Sequence, residues 1–92
     1  MVNSMKIKDG FLLREVAGSF IVVPVGSAAV DFGGMMTLNP VGAFVWRAME
    51  TQTDENTIVE KILAEYEIDR ETAARDVHIY VEKLRGAGLL EE

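Results

Sequence analysis

Residues 35–50, MMTLNPVGAFVWRAME, change hydrophobic period in the middle, and that change limits what the rest of the chain can build. Met35 to Leu38 reads as a short extended run. From Pro40 onward, Val41, Phe44, Val45, Ala48 and Met49 fall on one helical stripe. Asn39 fits the N-cap between them, where a side-chain oxygen accepts a free backbone N–H of the first turn. Pro40 fits the first helical position, where its missing N–H costs nothing. A strand therefore runs directly into a capped helix carrying the only Trp, Trp46. Everything before the junction reads as β, and everything after it as α.

On the β side, residues 11–16 and 19–25 are strand-rich, and Ala17-Gly18 between them suits a two-residue hairpin loop. Pro24 cannot donate to a ladder, so the second run is expected to fray or lie at an edge there. Gly26-Ser27 is a further break. Residues 28–32 alternate, with Ala28, Val30 and Phe32 on one side and Ala29 and Asp31 on the other. Gly33-Gly34 then signals a hairpin whose return strand is residues 35–38. Three or four short antiparallel strands are expected. Residues 1–9 show no clear period, and a disordered start is expected there.

On the α side the pattern predicts helices near 40–49, 54–66 and 70–87. Thr53 or Asp54 caps the second helix, whose apolar stripe is Ile58, Ile62, Leu63 and Tyr66, with Val59 beside it. Asp69 caps the third, and Ile68 before it is placed to staple against Ala73. The third stripe is Ala73, Val77, Tyr80, Val81 and Leu84. Gly88 fits the residue just past the helix end, pairing Leu89 with Leu84 in a Schellman ending, and Leu90 adds a last packed residue. Sheet and helices must share one core, expected to include Leu13, Val23, Phe44, Val45, Ile62, Leu63, Val77, Val81 and Leu84. The fold class is α+β.

Ninety-two residues make one domain that buries roughly 60–65% of its unfolded surface. No apolar run is long enough to span a membrane, and the start lacks a signal-peptide pattern. The absence of Cys excludes disulfides, thiolate metal sites and Cys nucleophiles and agrees with a cytoplasmic location. The net charge of −6 is unevenly placed: residues 1–50 balance at four against four, whereas residues 51–92 hold five basic and eleven acidic side chains. An acidic helical half repels phosphate and argues against general nucleic-acid affinity.

Catalysis finds little support. His78 is the only His and lies off the apolar stripe of its helix, as a surface residue would. No Ser sits in a nucleophile elbow, and no Gly-Lys-Ser/Thr follows Gly33-Gly34. Asp54, Glu55, Glu60, Glu65 and Glu67 read as a solvated face, without the alternating ligands of a calcium loop. Trp46, Met35, Met36 and Met49 could form a binding surface, but core packing outweighs it for Trp46 and for at least two of the Met residues. Ile79 resists the core reading: it projects off the third stripe, flanked at helical spacing by Asp76 and Lys83. An exposed apolar residue is ordinary alone. Beside a sheet edge with unpaired N–H and C=O groups, it would wall a groove suited to an extended peptide.

The segments GMMTLNPVGAFVWRAME, the Thr-Asp opening of the second helix, AEYEIDRETAARDVHIYVEKL and the closing GAGLL resemble the PqqD-like family, recognition elements of ribosomally made, modified peptides. The resemblance runs from about Phe11 to Leu90 and lies in the order and spacing of short pieces. It implies a winged-helix-like domain, a three-stranded sheet against three helices, with no cofactor and no catalytic residues. Family members bind the leader of a precursor peptide as an added strand beside the third strand and third helix. They present it to a modifying enzyme, often a radical S-adenosylmethionine enzyme. Residues 27–34 look like an insertion in the simplest version of the sheet, so the open edge is either 35–38 or 28–32. The peptide site implied is Ala28, Val30, Phe32, Met36 and Leu38 on the strand side and Asp76, Ile79, Tyr80 and Lys83 on the helix side.

Two rivals differ in kind. A winged-helix DNA-binding regulator needs a basic last helix. Here Arg70, Arg75, Lys83 and Arg85 are offset by Asp69, Glu71, Asp76 and Glu82. A scaffold domain would take an unrelated protein partner or form a homodimer through its open edge. A small enzyme is more distant.

Overall fold

The computed structural model describes residues 4–26 and 36–92. Along the chain run β1 (Lys6–Ile7), β2 (Phe11–Val16), β3 (Ser19–Pro24), β4 (Met36–Leu38), α1 (Pro40–Ala48), α2 (Glu55–Glu65), α3 (Arg70–Gly86) and β5 (Leu90–Glu91). This is the α+β arrangement expected from the period change. The expected strand at 28–32, the Gly33-Gly34 turn and Met35 lie outside the described residues.

The β2–β3 hairpin turns on Ala17 at φ 51° and Gly18 at φ 82°. Two positive φ values in succession match the right-handed twist of the flanking strands. β3 is central, with β2 and β4 antiparallel on either side. The register pairs Leu13 with Val22, Val22 with Met36, and Phe20 with Leu38. Those side chains therefore share the face turned to the helices, and Val22 and Leu38 are buried. Val23 was expected in the core, but it pairs with the exposed Leu12 on the other face. Phe20-Ile21-Val22-Val23 has no polar residue to mark alternation, and a one-residue slip exchanges the faces.

Each helix begins as its cap chemistry dictates. Gly42 N–H donates to Asn39 Oδ1 at 2.7 Å, and Thr57 N–H donates to Asp54 Oδ1 at 2.8 Å. Asp69 accepts from Thr72 N–H at 3.0 Å and from the Thr72 hydroxyl at 2.8 Å. α3 ends in the expected Schellman motif. Gly88 sits at φ +78°, Gly88 N–H donates to the Arg85 carbonyl, and Leu89 N–H donates to the Leu84 carbonyl, both at 3.0 Å. Leu84 and Leu89 are buried together in the core.

The core gathers one stripe from each helix: Val45, Trp46 and Met49 from α1 and its end, Ile58 and Ile62 from α2, Val77, Val81 and Leu84 from α3. Phe44 and Leu63 pack at its margin. Trp46 is fully buried, so the core reading holds for it.

The chain start departs from expectation. In place of a disordered segment, Met5 and Ile7 are buried. Met5 exchanges backbone hydrogen bonds with Thr53 at 2.7 and 2.9 Å, and Ile7 N–H donates to the Met49 carbonyl at 2.8 Å. β1 pairs with β5, Ile7 opposite Leu90. Residues 4–9 thus tie the α1–α2 turn to the end of the chain. The partners lie far away in sequence, and two apolar residues are too few to register as a period.

Candidate functional site

β4 is three residues long and lies at the edge of its sheet among the described residues. An edge strand offers backbone N–H and C=O groups that can take a further strand. Its side chains are already committed. Leu38 is buried, Met36 packs against the core, and Thr37 is exposed. Leu38 therefore offers its backbone, rather than its side chain, at this edge.

One missing side chain lets α3 come close to the start of α1. A Cβ at Gly42 would lie 2.7 Å from Tyr80 Cε1, 3.0 Å from Tyr80 Cζ and 3.3 Å from Leu38 Cβ. Contacts that close are repulsive, so glycine at this position lets the Tyr80 ring settle onto the first turn of α1 beside Leu38. The start of α1 becomes a floor between β4 and α3.

On α3, Asp76, Ile79, Tyr80 and Lys83 follow at i, i+3, i+4 and i+7, which places them on one face. That face flanks the buried stripe of Ala73, Val77, Val81 and Leu84. Tyr80 and Asp76 are half-buried, Lys83 is exposed, and Ile79 is 57% exposed. Ile79 is outside the core, as its helical position implied. Ala28, Val30 and Phe32 lie outside the described residues.

A hollow of about 250 Å³ opens where the first turns of α1 and α3 meet the end of α2. Its apolar wall is Val41, Ile62, Ile68, Ala73 and the ring of Tyr66. Tyr66 is held edge-on to Phe44, with centroids 5.6 Å apart and planes at 76°. Glu67 and Asp76 also line it. Asp76 thus belongs to both the α3 face and the hollow, and Val41 adjoins Gly42. Sequence reasoning missed Gly42, the hollow and its Glu67. A glycine inside a predicted helix was the one available signal, since helices disfavour it without a packing reason.

Several charged side chains around this face are paired. Arg70 bonds Glu60 and holds the Glu60 carboxyl below its usual range, through the hydrogen bond first and the charge second. Thr72 does the same to Asp69 through its backbone N–H and then its hydroxyl. Arg85 binds Glu82 and, at 2.7 Å, Glu92, whose carboxyl is lowered chiefly by that hydrogen bond. His78 faces Glu55 at 3.0 Å on the exposed surface. Glu67, Asp76 and Lys83, like Lys61, Glu65 and Glu71, have no hydrogen-bond or ion-pair partner among the described residues. Among those residues no cluster of His, Cys, Asp and Glu is placed to hold a metal ion, and no helix is long and apolar enough to cross a membrane.

No curated protein matches this sequence significantly. Two solved structures are similar throughout. One is TbiB1 in complex with the TbiA(beta) leader peptide: 27% identity, a TM-score of 0.73, and 94% of each chain covered. The other is a lasso peptide synthetase B1 complexed with the leader peptide, at TM-score 0.73 with 96% of this chain and 98% of that chain covered. At 16% identity it speaks for the fold alone. The pattern of coenzyme PQQ synthesis protein D (PqqD) matches residues 14–90, and the chain belongs to the PqqD family.

Proposed function

We propose that this chain is a peptide-recognition module that binds the leader of a ribosomally made precursor peptide and presents it to a modifying enzyme. The observation that carries the reading is β4 at the sheet edge among the described residues, with Tyr80 of α3 packed at Gly42 near Leu38 and Asp76, Ile79 and Lys83 on the same face of α3. The leader-bound TbiB1 structure, similar over nearly the whole chain, supports it. The leader's backbone would satisfy the free N–H and C=O groups of β4, giving affinity without regard to sequence. Its alternate side chains would turn toward Ile79 and Tyr80. Charges at the margin, Lys83 with acidic leader residues among them, would set on-rate and direction more than affinity. Met36 and Leu38 would act mainly by holding the strand in place.

Presentation follows from what strand addition leaves free. A leader held at one sheet edge by its backbone leaves its modifiable part to reach an enzyme, which in this family is often a radical S-adenosylmethionine enzyme. The role needs no cofactor on this chain.

The test is Ile79→Asp, titrated calorimetrically with the leader of a precursor encoded beside this chain's gene. Binding should weaken by about 1–3 kcal/mol, the usual scale for loss of an interface anchor. The melting temperature should hold, because Ile79 is 57% exposed. Unchanged affinity would remove α3 from the site, and an unfolded variant would show that Ile79 carries the core.

A further inference from the structure

We propose that the hollow between α1, α2 and α3 is a subsite for one basic side chain, Arg or Lys, of the bound peptide. The inference rests on the leader-binding reading and adds a residue preference to it.

Size points to a side chain. About 250 Å³ lies below the roughly 300–1,000 Å³ of small-molecule sites. Chemistry then selects the side chain. The wall is hydrocarbon with one aromatic ring, and the two ionisable residues lining it, Glu67 and Asp76, are both acidic. Neither has a hydrogen-bond or ion-pair partner among the described residues; Glu65, Glu71 and Glu91 are also unpartnered, but of these acidic residues only Glu67 and Asp76 line the hollow. A purely apolar occupant would leave two carboxylates unanswered beside it, and an acidic one would be repelled. Arg and Lys combine an aliphatic stem with a cationic head, so the stem can lie along Val41, Ile68 and Ala73 while the head meets the carboxylates. Arg adds a planar fork that suits carboxylates and can lie against the Tyr66 ring.

The placement also gives the groove a direction. Asp76 and Lys83 share one α3 face, and seven residues of helix separate them by about 10 Å. That is about three residues of extended chain. A leader carrying a basic residue at the hollow and an acidic residue about three positions away would satisfy both ends at once. A leader lying in the reverse sense would face like charge at both.

The experiment selects peptides from a random 12-residue displayed library on the full chain. One selected peptide is then remade with Arg, Lys, Met or Glu at its enriched position. The binders should carry Arg or Lys at a fixed position. Replacing it by Met should weaken binding about tenfold on the native chain and less than twofold on the Glu67→Gln, Asp76→Asn variant. That variant loses no ion pair, so its melting curve should match the native one. Binders without a basic preference, or an equal Met penalty on the variant, would overturn the subsite. Amide protection of residues 36–38 separates the two readings. Binders that protect β4 without preferring a basic residue would refute the subsite alone. Binders that prefer one but leave β4 unprotected would refute strand addition. A library that yields no binder at all counts against both.

Discussion

Gly42→Ala isolates the contact that shapes the groove. Two opposing effects can be weighed. Alanine in place of glycine in a helix is worth up to about 1 kcal/mol of propensity. The new methyl would fall 2.7 Å from Tyr80 Cε1 and 3.3 Å from Leu38 Cβ, so the ring must move off the first turn of α1. Overpacking of this kind costs about 1–3 kcal/mol. The net expectation is a loss of about 0–2 kcal/mol, centred near 1, or roughly 4–8 °C in melting temperature for a chain of this size. Urea unfolding followed by Trp46 fluorescence reads it directly, since Trp46 is the only Trp and is fully buried. In a Tyr80→Ala background the colliding ring is gone and only the milder Leu38 contact remains. There Gly42→Ala should be neutral or stabilising by up to about 1 kcal/mol. Stabilisation of that size in the otherwise native chain would refute the reasoning, because it would mean that Tyr80 is not held against α1.

Leu84→Ala should cost about 2–5 kcal/mol, since Leu84 is 1% exposed and packs in the same core as Leu89; a loss below about half a kcal/mol would mean the α3 core face is wrong. Acid should destabilise through Glu60, Asp69 and Glu92, whose carboxyls are all held low in the folded chain. Their contribution is complete above the unfolded values of about 3.9–4.3 and is lost as pH falls through the folded ones. The triple variant E60Q/D69N/E92Q should therefore lose less stability between neutral pH and pH 3 in urea titrations. Duplex and single-stranded oligonucleotides should show no useful binding at moderate salt; micromolar binding with a steep salt dependence would contradict the balanced charge of α3.

Local chemistry was readable wherever neighbours in sequence decide it. Asn39, Asp54 and Asp69 announce the three helix starts, and Gly88-Leu89 announces the end of α3. Ala17-Gly18 announces the hairpin. What depends on distant partners was not readable in the same way. Met5 pairs with Thr53 and Ile7 with Leu90, and no local rule joins them. Val22 and Val23 could not be told apart, because their strand lacks polar markers. At the site, Ile79 stood out because an apolar residue off a helical stripe is visible in the pattern. Gly42 and the hollow did not, because they arise from how three helices meet.

Strand addition on β4 is tested most directly by amide hydrogen exchange of this chain, free and saturated with a leader peptide. If the leader joins the sheet there, exchange should slow at the amides of residues 36–38 that point away from β3, and the shifts of Asp76, Ile79, Tyr80 and Lys83 should move in the same titration. A tight complex that leaves residues 36–38 unprotected and instead perturbs residues 54–65 of α2 would contradict it.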